Sequence, residues 1–301
     1  MKCVKGYSCG KSCISKTRKC RKTVDTPLVE HVVTAVESVK PAKKSTPEPT
    51  PVKAPEPTAP PSDLSTRLTN LEPRYEEKMK DFLSQQLVTP ERAKVLETVM
   101  TEALKKSRMF IAISPESLVK VAKSGRFKSQ FETGTSGGLL DADIRKRTEK
   151  EGLGFDRNTD DADRPIYGYL KDPDFKKNYL YTVMYGTVDV ELHDSVKERA
   201  TATFGDSLDD RTLASPFKQA RVSSLSRYGL DGIDDDNAAD LTSISNCETY
   251  TNSGYVEFQA PHITTNDIKA VHILKRGWDE MDADTQAGIK QAFDDKIQFH
   301  E

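Results

Sequence analysis

Half of the chain's 16 prolines fall between residues 41 and 61, at Pro41, Pro47, Pro49, Pro51, Pro55, Pro57, Pro60 and Pro61. Regular helix or sheet does not survive that density. Each proline removes a backbone donor and pushes the residue before it into extended conformations. The Glu, Thr, Lys and Ala between them make a semi-rigid spacer rich in polyproline II. Residues 23–62 are therefore expected to be a disordered linker, around which the 301-residue chain must divide. Only residues 63–301 are long enough to bury a core. The apolar stretch Leu28–Val39 is too short and isolated to hold a helix alone.

Composition matters here mainly through its asymmetry. The chain is 36% hydrophobic and 31% charged, a soluble balance with a low apolar share. Its net charge is −2, yet residues 1–22 carry Lys2, Lys5, Lys11, Lys16, Arg18, Lys19, Arg21 and Lys22 and no acid. Acids gather in the second half, as in Asp156–Asp163 and Asp231–Asp240. A basic end on an acidic body can bind polyanions through that end alone, which makes nucleic acid a candidate partner of residues 1–22. A solubilising tail is the plainer alternative, and Tyr7 is the only aromatic there for base stacking. No run of 18 apolar residues occurs, so no membrane partner is expected. The first residues lack the apolar core of a secretory signal.

Cys3, Cys9, Cys13 and Cys20 lie in the basic segment at spacings C-x5-C-x3-C-x6-C. So short a segment cannot bury a core, so a staple is the natural way to order it. Zinc on four thiolates is one option and two disulfides are another. A reduced, unstructured tail is the third. The segment is similar to short cysteine modules in proteins of cyanobacterial viruses. Cys247 stands alone and reads as a small buried hydrophobe.

Residues 63–301 read as an α+β domain with a helical lead-in over 63–107. Tyr75, Met79, Phe82 and Leu83 recur at helical spacing. Thr89-Pro90-Glu91 and Ser114-Pro115-Glu116 are helix starts, and Gly125 ends the second. Strands are expected at Met109–Ile113, Ile166–Leu170, Leu180–Tyr185, Thr187–Leu192, Ala200–Phe204, Tyr255–Gln259 and Ala270–Leu274. Phe127–Thr135 reads as irregular, Gly229–Asp240 as a solvated acidic loop, and Asp284–Ile297 as a closing helix. Asp231–Asp240 lacks the glutamate that completes a calcium loop. Trp278 and Phe293 read as helix-packing residues. Helices first and strands later argue against regular βαβ alternation.

No phosphate-cradling glycine loop, metal-protease helix or nucleophile elbow occurs. The segment that stands out is Ser253-Gly254-Tyr255-Val256-Glu257-Phe258-Gln259-Ala260-Pro261. It places a glutamate on an apolar strand after a long polar loop. Glu257–Pro261 resembles the catalytic strand of the ADP-ribosyltransferase superfamily, a glutamate followed by apolar residues and a proline. Gly125–Gly138, Arg164–Leu170, Tyr185–Ser207 and Gly254–Pro261 are also similar to transferase-like domains attached to some phage head proteins. The resemblance implies split mixed or antiparallel sheets behind the N-terminal helices. It implies NAD as substrate, Glu257 as catalytic residue, and Arg164 or Arg108 on the NAD phosphates. It also implies a pocket braced by Thr203 and Ser207, or alternatively by Ser136. The partner would be a host acceptor protein, or virion proteins if the fold has lost catalysis, and the location the virion or host cytoplasm. Arginine-modifying members carry Glu or Gln two residues before the glutamate, and Tyr255 departs from that pattern.

Overall fold

The computed structural model describes the backbone of residues 7–9 and 12–14 and, with side chains, residues 63–135, 141–175, 185–208, 212–234, 238 and 241–301. The chain divides into two compact units, Met1–Lys53 and Ala54–Glu301. In the first, β1 (Tyr7–Cys9) pairs antiparallel with β2 (Ser12–Ile14), setting Cys9 opposite Ser12 and Cys13 opposite Ser8. Cys3, Cys20, Ser136, the linker and most of the strand expected at Leu180–Tyr185 lie outside the described residues.

The second unit opens on α1 (Leu64–Ser84), capped by Asp63, whose carboxylate accepts from the Ser65 N–H at 3.2 Å. Next, α2 (Pro90–Lys106) begins at the expected Thr89 cap, with Pro90 in its first turn. After β3 (Arg108–Ile113), α3 (Pro115–Ser124) runs from the Ser114 cap to Gly125, which takes a left-handed φ of 73°. These caps make helix bounds legible, because their side-chain oxygens satisfy N–H groups that a first turn leaves open. The chain continues through α4 (Gln130–Thr133), α5 (Ala142–Leu153), β4 (Ile166–Lys171), β5 (Val188–Leu192), β6 (Thr201–Phe204) and β7 (Ser215–Pro216). It ends with α6 (Arg227–Gly232), α7 (Ile244–Glu248), β8 (Val256–Ala260), β9 (Ile268–Leu274), α8 (Lys275–Asp279), α9 (Ala283–Phe293) and β10 (Ile297–His300).

The unit is α+β, and its strands form one eight-stranded mixed sheet in the order β10-β9-β5-β3-β4-β8-β6-β7. Among the described strands, β9 and β10 run parallel and the other neighbouring pairs antiparallel. Where split sheets are expected, the described strands are continuous, because the β4–β8 ladder joins the two halves from Ile166↔Ala260 to Tyr169↔Glu257. Three local expectations are corrected. Residues 127–135 contain α4, which Ser129 and Glu132 close with a capping box. The expected acidic loop begins inside α6, capped by Ser226. The closing helix stops at Phe293, and Ile297–His300 extends to pair with β9 instead.

Alternation sorts the strands into two unlike faces. One face carries Met109, Ile111, Ile166, Leu170, Val188, Val190, Ala202, Phe204, Val256, Phe258, Val271 and Ile273, all buried in one apolar cluster. Leu96, Met100 and Leu104 of α2, Leu118 of α3, and Ile289 and Phe293 of α9 belong to the same cluster. Each buried Val, Leu, Ile, Met or Phe among them contributes roughly 1.5–3 kcal/mol. Gly168 is required on this face, since a Cβ there would strike the Phe258 ring and the Phe110 carbonyl. Trp278, Phe293 and Cys247 are buried, as expected.

The other face is polar, although it too is largely buried. From β9 to β6 it presents His272, Asp189 and Glu191, Phe110, Tyr169 and Tyr167, Glu257 and Gln259, and Thr203 and Thr201. Asp189, Glu191, Glu257, Gln259, Thr201, Thr203 and His272 are all counted among the buried polar residues. Beside it a small second cluster of Leu71, Tyr75, Leu153, Phe155, Leu213 and Ala214 joins α1 to α5, with Tyr167 packed against it.

Candidate active site on the polar face of the sheet

Glu257 occupies the middle of this polar row. On β8 it stands opposite Tyr169 of β4 on one side and Thr203 of β6 on the other, and it is 6% exposed. Its Oε1 accepts from Gln259 Nε2 at 2.7 Å, and the same amide nitrogen donates to Thr203 Oγ1 at 2.8 Å. The Thr203 hydroxyl in turn donates to the Gly205 carbonyl at 3.0 Å. Gly205 turns the chain out of β6 at a φ of 108°, which brings Asp206 and Ser207 to the end of β8. There the Tyr255 hydroxyl donates to Asp206 Oδ2 at 2.7 Å and lies 3.5 Å from Glu257 Oε2. The Asp206 N–H donates to Ser253 Oγ at 2.8 Å, tying the loop before β8 to the loop after β6.

Burial pushes the Glu257 carboxyl up to about 7, and the charge of Asp206 adds to the rise. The Gln259 N–H, the Ser207 hydroxyl and the Arg145 guanidinium oppose it without cancelling it. Glu257 is thus poised between acid and carboxylate near neutrality, the range in which a proton-transferring group works best. Burial, with the neighbouring carboxylates, raises Tyr255 and Tyr167 well above the ordinary phenol value, so both remain donors.

Arg145 of α5 closes the other side. Its guanidinium lies 4.7 Å over the Tyr167 ring, and the residue is 9% exposed. Burial alone would lower it, but Tyr167, Glu257, Glu149 and Asp206 outweigh that and keep it above the ordinary arginine value. Its Nη1 is buried and has no hydrogen-bond partner among the described residues. The Ser207 hydroxyl shares that condition, close enough to Glu257 to favour its charge yet outside hydrogen-bond geometry. Two unsatisfied donors beside one titrating carboxylate are what a site shaped for a polar ligand presents, since buried donors are otherwise paired.

The other expected residues are placed differently. Arg164 is 1% exposed and bound to Glu149, Nη1 to Oε2, at 2.5 Å. Its Nη2 donates to the Arg157 carbonyl at 2.8 Å, and its guanidinium lies 4.4 Å over the Phe131 ring. Glu149 also accepts from the Tyr167 hydroxyl at 2.8 Å, so Arg164 acts on the site's wall through Glu149 and Tyr167. Arg108 is held bidentately by Glu191 at 3.1 and 2.7 Å. By strand spacing it lies roughly 12 Å from Glu257 along the same face. The stacked Phe110 and Tyr169 rings, 5.5 Å apart, lie between them. Glu191 accepts from Lys269 and His272 as well, both at 2.9 Å, and these partners hold it well below the ordinary carboxylate value against the cost of burial.

The structure therefore gathers Glu257, Thr203 and Ser207, sets Arg164 one layer behind them, and puts Arg108 at the far end of the row. Sequence reasoning missed Gln259, Asp206, Tyr255 and Arg145 as partners of Glu257, and Glu149 as the partner of Arg164. One signal was present in the chain. Thr201/Thr203, Asp189/Glu191, Tyr167/Tyr169 and Glu257/Gln259 are polar pairs two apart in otherwise apolar strands, which marks a polar inner face. Among the described residues no group of three or more His, Cys, Asp or Glu is placed to hold a metal ion, and no helix is long and apolar enough to cross a membrane. No family model matches the chain, and no curated protein is significantly similar to it.

Proposed function

We propose that the Glu257 site cleaves the bond between nicotinamide and ribose in NAD and passes the ADP-ribosyl group to a host protein, as a phage-associated mono-ADP-ribosyltransferase. The observation that supports this most is the buried Glu257 carboxyl, held near neutrality and bracketed by Gln259, Thr203, Tyr255 and Asp206. Breaking a glycosidic bond builds positive charge on the ribose, and a fixed carboxylate beside it stabilises that charge. Gln259 holds one carboxylate oxygen at 2.7 Å, and the other, which has only the 3.5 Å contact of the Tyr255 hydroxyl, is the one that would face the sugar. Arg145 Nη1 and Ser207 Oγ supply donors for ribose or phosphate oxygens. The test is incubation of the chain with labelled NAD and host lysate. Wild type should transfer label at least about 100-fold faster than Glu257→Ala, the scale of loss for one transition-state contact. Equal and negligible labelling by both ends the reading.

One observation favours a second reading, a non-catalytic virion protein that uses the same surface for binding. Both arginines expected to hold NAD phosphates are engaged in ion pairs, Arg164 with Glu149 and Arg108 with Glu191. That reading predicts stoichiometric incorporation into particles, no NAD binding by calorimetry, and anchoring through the basic segment 1–22.

A further inference from the structure

Arg67 of α1 is a buried guanidinium with no ion pair among the described residues, 1% exposed and stacked 4.1 Å over the Phe155 ring. Burying that charge without a carboxylate is expensive, and a methionine or leucine would fill the same space. What only arginine brings is a set of N–H groups that donate and never accept. Nε donates to the Leu153 carbonyl at 3.3 Å, Nη1 to the Arg199 carbonyl at 3.5 Å, and Nη2 to Thr201 Oγ1 at 2.7 Å.

We infer that Arg67 is a positioning residue which, through the Thr201 hydroxyl, fixes the orientation of the Gln259 amide so that an N–H and not a carbonyl faces Glu257. A hydroxyl has one proton. Because Thr201 Oγ1 must accept from Arg67, that proton is free to go to Gln259 Oε1, 3.1 Å away. The amide's two ends have nearly the same shape, so its hydrogen bonds decide which way it lies. With Oε1 taken by Thr201, Nε2 is turned to Glu257 Oε1 and Thr203 Oγ1. The line Arg67–Thr201–Gln259–Glu257 thus donates in one direction throughout, and Thr201, Gln259 and Glu257 are all buried. Without the obligate donor, Thr201 can turn its proton elsewhere and the amide can flip, setting oxygen against carboxylate oxygen. The groups facing Glu257 from other elements are Arg145 of α5, Thr203 of β6, Asp206 and Ser207 after β6, and Tyr167 and Tyr169 of β4, with Tyr255 just before its own strand. None of them contacts Thr201 in the hydrogen bonds described, so a change there reaches Glu257 through Gln259.

The inference rests on the proposed site only for its catalytic consequence, and the test reads no activity. In the full chain labelled with 13C at glutamate carboxyls, the Glu257 signal is identified by its loss in Glu257→Gln and followed against pH. Thr201→Val keeps the Arg67 bonds to Leu153 and Arg199 while removing the relay, and Thr201→Ser keeps the relay. The expected result is a midpoint raised by about half a pH unit or more in Thr201→Val and Arg67→Met, and unchanged in Thr201→Ser. A wild-type midpoint in Thr201→Val overturns the inference, even if Arg67→Met fails to fold. Failure to cleave NAD would sink the proposed function and leave this result standing.

Discussion

Replacing Arg164 with alanine is expected to destabilise the folded unit by about 3–5 kcal/mol, the cost of leaving a buried charge without its partner. Arg164 and Glu149 are each 1% exposed, and their contact is 2.5 Å. Burial pushes the Glu149 carboxyl up, against the pull of Tyr167 and Arg164, so removing the guanidinium leaves a carboxyl that must take a proton or go unpaired. The Tyr167 hydroxyl and the Arg157 carbonyl would then lose order with it. Glu149→Leu combined with Arg164→Met should recover most of the loss, because a buried pair contributes little over apolar residues of similar volume. Urea unfolding of the two singles and the double measures this directly. If Arg164 served NAD phosphates alone, its loss would weaken NAD binding and leave the urea midpoint in place.

Replacing Glu257 with glutamine should do the opposite and stabilise the protein above neutrality. The ordinary glutamate loses its proton near 4.5, whereas Glu257 in the folded chain holds it to about 7. Between those values the folded state binds more protons than the unfolded state, so its stability falls as pH rises. The penalty is absent below about pH 4.5 and complete above about pH 7, where it reaches about 3 kcal/mol. An uncharged amide avoids it and can still accept from Gln259 Nε2. Glu257→Gln should therefore melt about 5–10 °C higher at pH 8 and within about 1 °C of wild type at pH 4.5. A gain independent of pH would show that the substitution acts through packing. A carboxylate retained at such a cost is the pattern of a functional site.

Much of the helical part was legible because its signals are local. Thr89-Pro90-Glu91, Ser114-Pro115-Glu116 and Gly125 each satisfy a helix end with residues a few positions away. Glu257 stood out because a carboxylate inside an apolar strand is costly and so conspicuous, whereas Thr203 entered only through the family resemblance. The rest depends on contacts far apart in the chain. Arg145 sits in a polar helix, and nothing within α5 announces that it stacks on Tyr167 beside Glu257. Arg164 stands just before a strand, as a phosphate-binding arginine would, and only its pairing with Glu149 of α5 reveals its engagement. The short Ile297–His300 strand follows a helix without a glycine stop, and its extended form comes from the free edge of β9. Sheet order was equally hidden, since β8 pairs with β4 and β6, each more than fifty residues before it in the chain.

Glu257 is proposed to work as a carboxylate on the ribose of NAD. Its most direct test is release of nicotinamide from NAD by the intact chain between pH 5 and 9, with Glu257→Gln alongside. Release should rise through about pH 7 as Glu257 ionises and be abolished in the variant. No release by wild type at any pH, or equal release by both proteins, would contradict it.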